Sequence, residues 1–426
     1  MKKTMLIAAA AASMLLASCA STTGSTEAKN ENTETKTEAS MNQYGISNER
    51  YQELLDMSLV SVGNTARMKK VISKLQAGEK VYVAALGGSV TEGAGPANYK
   101  DGYAYQFNNK LKAEYCADGG KNVYFDGAGL SGTPSQLGIV RYESDVVQVL
   151  GANPDLLIIE FAVNDDGSEQ STRAFEALVR NALIANEDCA VIALYSAATY
   201  GNTAAAKKSV AEYYGIPQVN VLTSVKAAVA AKDFTQAQYY TDSVHPTKEG
   251  HEFQADCIMN MIKKSVAAEE EAAVAVPENW CKAKPLTNFT RIVGDDDNVK
   301  ITKGGFNGTD SNTQSLKKTN KGDFPQNWHH AGGNNESFVM KINCKSLIFT
   351  YKNQGSWLSQ KFGKAEVYVD GKLVDTYDGG PAGGWNDCVP KFIIDNEAAA
   401  DHTVEVKMAA GDESKGFTIV AMGYSK

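Results

Sequence analysis

Short apolar runs alternate with segments of helical periodicity between residues 81 and 266. The apolar runs are rich in strand-forming residues and cover 81–86, 123–125, 156–159, 191–195 and 219–222. The helical patterns cover 103–115, 136–150, 171–186, 203–214 and 247–266. Strands that are apolar on both faces and separated by helices pair in parallel between two helical layers. The alternation therefore predicts a three-layer α/β/α domain with five parallel strands, spanning about residues 45–268.

The pattern changes after a mixed acidic, alanine-rich and proline-containing stretch at 269–285, which we interpret as a linker. Beyond it, apolar and polar residues alternate. The clearest case is 365–375, where two alternating arms flank Asp370-Gly371, a dipeptide typical of a tight hairpin turn. Further strand-like runs lie at 346–351, 402–407 and 417–421. Residues 286–426 are therefore predicted to form an antiparallel, jelly-roll-like β-sandwich.

The first residues have the features of an export signal. Lys2 and Lys3 precede an apolar stretch at 6–17 that is too short to span a membrane. Leu16-Ala17-Ser18-Cys19 resembles the bacterial lipobox, and this resemblance implies cleavage before Cys19 and lipidation of its thiol. The expected product is a lipid-anchored lipoprotein of the cell envelope, at the outer membrane or the cell surface. A cleaved signal with an incidental cysteine is the other interpretation.

Composition limits the partners of the chain. Residues 19–44 are predicted to be a disordered tether, because most of this stretch lacks the apolar residues that offset chain entropy. The formal net charge is −8 and no basic patch is present, which argues against a nucleic-acid partner. The cysteines lack C-x-x-C spacing, so a zinc site is not expected. Disulfides are compatible with export, and Cys344 with Cys388 is the pairing we expect.

A candidate nucleophile follows the first apolar run. Ser89 comes after Gly87-Gly88, at the carboxyl edge of the predicted sheet, where open α/β folds bind ligands. A serine hydroxyl needs a base to remove its proton, and the α/β region offers only His245 and His251. His245 precedes the last helix, and Asp242 lies three residues earlier, close enough in a turn to orient the imidazole. We interpret His251 as structural or solvated.

Two further groups could stabilise a developing oxyanion, which requires donors already in place. Asn164 follows a buried strand and can present its amide at the same sheet edge. Gly132 can offer a backbone N–H, with Gly129 as the rival position. Both glycines belong to a Gly-x-Gly-x-x-Gly string starting at Gly127, but no clear acidic partner lies at the expected strand end, so a dinucleotide site is not expected.

Together, these segments resemble the SGNH (GDSL-type) hydrolase superfamily over residues 80–262. The resemblance implies that Ser89 is the nucleophile, His245 the general base and Asp242 its orienting carboxylate. It also implies an oxyanion hole made by the Ser89 N–H, Gly132 and Asn164. The sequence departs from the family pattern at three positions. Gly88 replaces the usual Asp before the serine, Val90 replaces the following Leu, and Val163 replaces the Gly before the Asn.

The resemblance implies a serine esterase that hydrolyses acyl esters without a metal or organic cofactor. An exported protein with an attached β-sandwich resembles bacterial carbohydrate esterases, so acetyl groups on polysaccharide or oligosaccharide are the expected substrate. Trp328, Trp357 and Trp385 could stack on sugar rings, or could be packing residues of the β-sandwich. A lipase, thioesterase or lysophospholipase remains an alternative, as does a catalytically inactive glycan-binding lipoprotein. The sugar, the acetyl position and the oligomeric state stay open.

Overall fold

The computed structural model describes residues 41–319, 321–322 and 324–426. The predicted export signal, Cys19 and most of the predicted tether therefore lie outside the described residues. At the end of that tether, however, Tyr44 is buried in the folded part, because its ring stacks on Phe234 with the centroids 4.5 Å apart. No helix among the described residues is both long and apolar enough to cross a membrane.

Eleven α-helices and six strands make up the α/β part of the described chain. The helices are α1 (Asn48–Ser58), α2 (Ala66–Gln76), α3 (Ser89–Glu92), α4 (Tyr103–Tyr115), α5 (Ser135–Tyr142), α6 (Gln148–Leu150), α7 (Glu169–Ala185), α8 (Ala204–Tyr213), α9 (Val221–Ala231), α10 (Gln236–Tyr239) and α11 (Lys248–Ala267). The strands are β1 (Leu59–Ser61), β2 (Val81–Gly87), β3 (Val123–Gly129), β4 (Leu156–Glu160), β5 (Ala190–Tyr195) and β6 (Gln218–Asn220).

The sheet has the strand order β1-β6-β5-β4-β2-β3. Strands β2 to β6 are parallel, as the alternating pattern predicts. One apolar core lies on each face of the sheet, the first against α1, α2, α4, α9 and α11, and the second against α5, α7 and α8. The three-layer architecture predicted from the sequence is thus confirmed.

The sequence missed two features at one edge of this sheet. The short strand β1 pairs antiparallel with β6 and adds a sixth strand. The predicted strand 219–222 ends at Asn220, and Val221 instead begins α9. Val221, Val225 and Ala228 are buried at a spacing of three to four residues, so the apolar run belongs to a helix face.

The second part of the chain is built from antiparallel strands. They are β7 (Thr290–Ile292), β8 (Val299–Thr302), β9 (Ser315–Leu316), β10 (Lys321–Gly322), β11 (Trp328–His330), β12 (Phe338–Asn353), β13 (Lys364–Val369), β14 (Lys372–Asp378), β15 (Asp387–Met408) and β16 (Phe417–Ser425). The main sheet runs β11-β16-β12-β15-β13-β14, with β7 and β8 paired to β16 and β12. The predicted hairpin turn is confirmed, with positive φ angles of 51° at Asp370 and 77° at Gly371. These strands form the predicted β-sandwich.

The expected disulfide is wrong. Cys344 pairs across β12 and β15 with Ala400, whereas Cys388 pairs with Lys352. The two cysteines therefore sit eight ladder positions apart, or about 26 Å at the rise of a strand. A disulfide needs Cα atoms within about 7 Å of each other, so this register excludes the bond.

The two parts of the chain pack through a shared apolar core. Ile348, Val420 and Ala421 of the β-sandwich belong to the same buried cluster as the α5 and α7 side chains. Residues 269–285, predicted as a linker, lie against the α/β part. Arg180 on α7 donates to the carbonyl oxygens of Pro277 and Glu278 at 2.6 and 2.9 Å.

Candidate active site

The predicted nucleophile lies at the carboxyl end of a central strand. Strand β2 ends at Gly87, Gly88 forms the turn, and Ser89 is the first residue of α3. Ser89 is buried, with 6% of its surface exposed. Its Oγ lies 2.9 Å from Nε2 of His245, which is 156 residues away in the chain. The structure thus brings together the nucleophile and base predicted from the sequence.

The loop before α11 holds His245 in this orientation. Its Nδ1 lies 2.6 Å from Oδ2 of Asp242, and its backbone N–H donates to Oδ1 of the same carboxylate at 2.8 Å. The Val244 N–H also donates to that oxygen at 2.8 Å. Partial burial acts to raise the pKa of Asp242, but these hydrogen bonds outweigh it and hold the pKa below its usual value. An ionised carboxylate on Nδ1 leaves Nε2 free to accept the serine proton.

The other histidine of this region has a structural role. His251 is fully buried, and its Nδ1 accepts from the Tyr103 N–H at 3.1 Å while Nε2 donates to the Ala94 carbonyl at 2.9 Å. Burial lowers its pKa to about 4, so the ring is neutral. Of the two interpretations given for His251, structural or solvated, the buried position supports the structural one.

Asn164 follows β4 and lies directly beside the nucleophile turn. A Cβ on Gly88 would come within 2.1 Å of the Asn164 Oδ1 atom. A residue with a Cβ at position 88 would therefore require the Asn164 side chain to shift. The assignment of the Asn164 amide as an oxyanion donor remains a prediction. Val163, the other departure on this strand end, is buried in the core with Ala197 and Ala198.

The two rival glycines have different surroundings. A Cβ on Gly129 would lie 2.1 Å from the Glu92 backbone nitrogen, so Gly129 allows α3 to pack closely against β3. Gly132 has a left-handed φ of 68° and faces the β-sandwich, where a Cβ would lie 2.8 Å from Cζ2 of Trp385. The packing role of Gly129 favours Gly132 as the oxyanion donor, and that assignment remains a prediction.

Comparisons with known proteins agree with this fold. Residues 85–253 match the model of the GDSL-like Lipase/Acylhydrolase family. A two-domain esterase active on acetylated mannans aligns with a TM-score of 0.74 and 24% identity, covering 87% of this chain and 98% of that chain. Its structure co-crystallized with mannopentaose gives a TM-score of 0.73 at 24% identity, with the same coverage. None of the curated proteins searched matches the sequence.

The family model matches residues 85–253, which is less than half of the chain. The match spans Ser89, Gly132, Asn164, Asp242 and His245, so all five predicted site residues lie within it.

Two buried ionisable side chains contact the backbone turn and the helix that carry Ser89, and neither was predicted. Arg141 on α5 is fully buried and donates to the Gly87 carbonyl at 2.7 Å while pairing with Asp145 at 2.8 Å. Glu160, the last residue of β4, accepts from the Thr91 hydroxyl at 3.1 Å. Burial raises the pKa of Glu160 to about 7, against the weaker opposing effect of its hydrogen bonds. For Glu160, the only signal in the sequence is that a charged residue ends an otherwise apolar strand.

The β-sandwich contacts the α/β domain next to Gly132. Gln314 donates from Nε2 to the Ser131 carbonyl at 2.5 Å, and the Lys317 N–H donates to Glu92 at 3.0 Å. Lys318 pairs with Asp126 of β3 at 2.6 Å. These contacts could not be predicted from local patterns, because they join residues about 180 to 230 positions apart.

The three candidate tryptophans are not equivalent. Trp328 is 4% exposed and packs edge-on against Phe338, so it is a core residue and not a sugar platform. Trp357 and Trp385 are 66% and 42% exposed. Their loops adjoin, since the Gly355 N–H donates to the Asn386 side chain at 2.8 Å. Exposed aromatic rings therefore lie on the β-sandwich loops that reach Gly132.

Two further observations concern the described residues outside the candidate site. A cavity of about 900 Å³ lies between the domains, lined by residues such as Arg180, Trp280 and Phe289 and by none of the predicted site residues. Within residues 41–426, as far as they are described, His, Cys, Asp and Glu side chains form no group of three or more that could hold a metal ion.

Proposed function

We propose that this protein is a serine esterase that removes acetyl groups from polysaccharide or oligosaccharide. The observation that carries the proposal is the continuous chain of hydrogen bonds from Ser89 through His245 to Asp242, with distances of 2.9 and 2.6 Å. This is the arrangement that converts a weakly nucleophilic hydroxyl into an attacking group.

In the proposed reaction, His245 Nε2 takes the Ser89 proton as Oγ attacks the ester carbonyl. The resulting oxyanion accepts hydrogen bonds from the Ser89 and Gly132 N–H groups and from the Asn164 amide. When the intermediate collapses, the sugar hydroxyl leaves with the proton held by His245. Water then attacks the acetyl-serine in the same way, which releases acetate and restores the serine. Asp242 stabilises the imidazolium in both halves of the reaction.

The proposed substrate class has two supports. Trp385 lies against Gly132, so an aromatic surface borders the predicted oxyanion hole, and sugar rings commonly bind such surfaces through their apolar faces. The structural neighbour that aligns over both domains is described as active on acetylated mannans. Acetylated mannan is therefore the first polymer to test.

The test is acetate release from acetylated mannan, acetylated xylan and a small aryl acetate. We expect release from mannan and from the aryl ester by the wild-type protein, and loss of both in Ser89→Ala. Long-chain aryl esters in the same assay separate an acetylesterase from a lipase or thioesterase. Wild-type hydrolysis retained by Ser89→Ala would refute the mechanism, and preference for long acyl chains would refute the substrate.

The role of Trp385 can be tested separately from chemistry. Trp385→Ala should lower kcat/KM on acetylated mannan about fivefold to tenfold, because ring stacking contributes roughly 1 kcal/mol. Trp385→Phe retains an aromatic face and should recover most of this loss. Equal losses on the polymer and on the aryl acetate would contradict a role in sugar binding.

We further propose that the protein is exported and lipid-anchored through Cys19. The support is the sequence alone, in which a basic and apolar leader ends in Leu16-Ala17-Ser18-Cys19. Cys19→Ser should release the protein from the membrane fraction and remove a lipid-dependent increase in mass. Unchanged fractionation of that variant would contradict the anchor.

A further inference from the structure

The loop that carries Gly132 is held from two directions. On one side it is continuous with β3. On the other side it meets residues 312–318 of the β-sandwich, where Gln314 donates to the Ser131 carbonyl at 2.5 Å. The position of the Gly132 N–H therefore depends on contacts made by Ser131, its neighbour in the chain.

Glu92 joins this loop to the nucleophile helix. It is the last residue of α3, three positions after Ser89, and it is only 7% exposed. Its Oε2 accepts from the Ser131 hydroxyl, and its Oε1 accepts from the Lys317 N–H at 3.0 Å. One carboxylate thus connects the helix of the nucleophile, the Gly132 loop and the β-sandwich.

The 312–318 segment is itself firmly anchored. At its base, Lys352 is 1% exposed and forms an ion pair with Asp310, which also accepts from the Thr418 hydroxyl at 2.8 Å. Asp310 thereby ties the start of the segment to two strands of the β-sandwich. The Lys317 amide is then presented to Glu92 from a fixed framework.

A second ion pair in the same region serves as a comparison. Lys318 pairs with Asp126 on β3 at 2.6 Å and holds the 312–318 segment against the α/β domain. The Asp126 carboxylate accepts both of its hydrogen bonds from Lys318. Removing the Lys318–Asp126 ion pair weakens the contact between the two domains but leaves in place the hydrogen bonds that Glu92 accepts from Ser131 and Lys317. The two effects can therefore be measured separately.

We propose that Glu92 is a positioning residue that sets the Gly132 N–H relative to Ser89, which makes the β-sandwich part of the catalytic apparatus. This inference rests on the proposed esterase function. It also extends that function, because the second domain then acts on the chemical step in addition to any role in binding sugar. Preorganised donors lose much of their value when misplaced, since the oxyanion forms at one position only.

The test compares Glu92→Gln with the wild-type enzyme on a small aryl acetate, which avoids polymer binding. Glutamine keeps the size of the side chain but has one accepting oxygen instead of two. We expect kcat to fall about 10- to 100-fold, which is no more than the fall expected when a whole oxyanion donor is removed. KM should stay within about twofold of the wild-type value. Ser131→Ala should show a similar kcat loss, and Ser131→Thr, which keeps the hydroxyl, should recover most of it.

Asp126→Asn is the matched control, because it weakens the same domain contact without touching Ser131. We expect its kcat to stay within about threefold of the wild type. Hydrogen exchange at residues 130–133 gives a readout that does not need turnover, and it should be faster in Glu92→Gln than in Asp126→Asn. Melting curves establish that each variant is folded.

The outcomes separate this inference from the proposed function. If the wild-type protein hydrolyses no acyl ester, the proposed function fails and the catalytic role of Glu92 fails with it. If the wild type is active and Glu92→Gln has wild-type kcat, only the present inference is overturned. Equal kcat losses in Glu92→Gln and Asp126→Asn would also overturn it, because domain docking would then account for the effect.

Discussion

Two histidine–aspartate pairs lie in different domains of this protein and have almost the same geometry. In the α/β domain, His245 Nδ1 lies 2.6 Å from Asp242 Oδ2. In the β-sandwich, His402 Nδ1 lies 2.7 Å from Asp370 Oδ2. In each pair the other carboxylate oxygen accepts a nearby backbone N–H at 2.8 Å, from His245 itself or from Thr403.

The pairs differ in the third group that they face. His245 Nε2 lies 2.9 Å from the Ser89 hydroxyl, whereas His402 Nε2 lies 3.1 Å from the Asn396 side-chain amide. A hydroxyl that gives up its proton becomes a nucleophile, but an amide N–H does not serve this purpose. The second pair instead fixes the hairpin turn at Asp370 against β15. An oriented histidine is therefore not evidence of catalysis without a hydroxyl and oxyanion donors beside it.

Exchanging each histidine for alanine gives the largest contrast. His245→Ala should lower kcat by at least about 10⁴-fold, because Ser89 loses the imidazole that would accept its proton. His402→Ala should leave kcat within about twofold of the wild type. Steady-state hydrolysis of an aryl acetate by both purified variants checks the prediction, and a comparable loss in His402→Ala would show that the two pairs are not functionally distinct.

Neutralising each aspartate gives the next contrast. Asp242→Asn should lower kcat roughly 10³- to 10⁴-fold, because the imidazole loses the carboxylate that fixes its tautomer and stabilises its charge. Asp370→Asn should leave kcat unchanged and cost roughly 1 kcal/mol or less in stability, since that side chain is about half exposed. Kinetics and denaturant unfolding of both variants provide the measurement. If Asp242→Asn has a near-normal kcat, Asp242 is not the group that orients His245 for catalysis.

A smaller contrast concerns the two asparagines. Asn164→Ala should lower kcat about 10²- to 10³-fold with little change in KM, as expected for a donor used mainly in the transition state. Asn396→Ala removes the amide that faces His402 and should not affect turnover. A rise in KM without a fall in kcat for Asn164→Ala would make this residue a substrate-binding group rather than an oxyanion donor.

Most of the first pair could be predicted from the sequence because its information is local. Asp242 and His245 lie three residues apart in one turn, and Ser89 and Asn164 each follow an apolar strand at the same sheet edge. The family resemblance then connected these segments. The five parallel strands were predictable for a similar reason, since each apolar run specifies its own burial.

The remainder depends on contacts between distant segments. The bridge from Glu92 to Lys317 crosses 225 positions and uses a backbone N–H, which no residue type reveals. The predicted Cys344–Cys388 pairing was wrong because the distance between the two cysteines is set by the register of β12 and β15. The presence of both cysteines in one domain does not determine that register. Val221 and Leu222 suited either a strand or a helix, and packing against the neighbouring core placed them in α9.

The two pairs also predict how stability depends on pH, and Glu160 sharpens the contrast. The pKa values of Asp242 and Asp370 are both lowered by hydrogen bonds that outweigh burial, so the stability they contribute is lost only as acid lowers the pH below about 4.

The pKa of Glu160 is raised by burial to about 7 from 4.5, so its proton is bound more tightly in the folded state. The effect of Glu160 on stability is therefore opposite in sign to that of the two aspartates. The free energy of unfolding should fall as the pH rises from 4.5 to 7 and then level off. Glu160→Gln removes this dependence, and relative to wild type it should gain up to about 3 kcal/mol between pH 4.5 and 8. Urea unfolding at both pH values measures the gain. Asp370→Asn serves as the control and should differ from wild type by the same amount at both. A pH-independent difference for Glu160→Gln would mean that folding does not raise the pKa of Glu160.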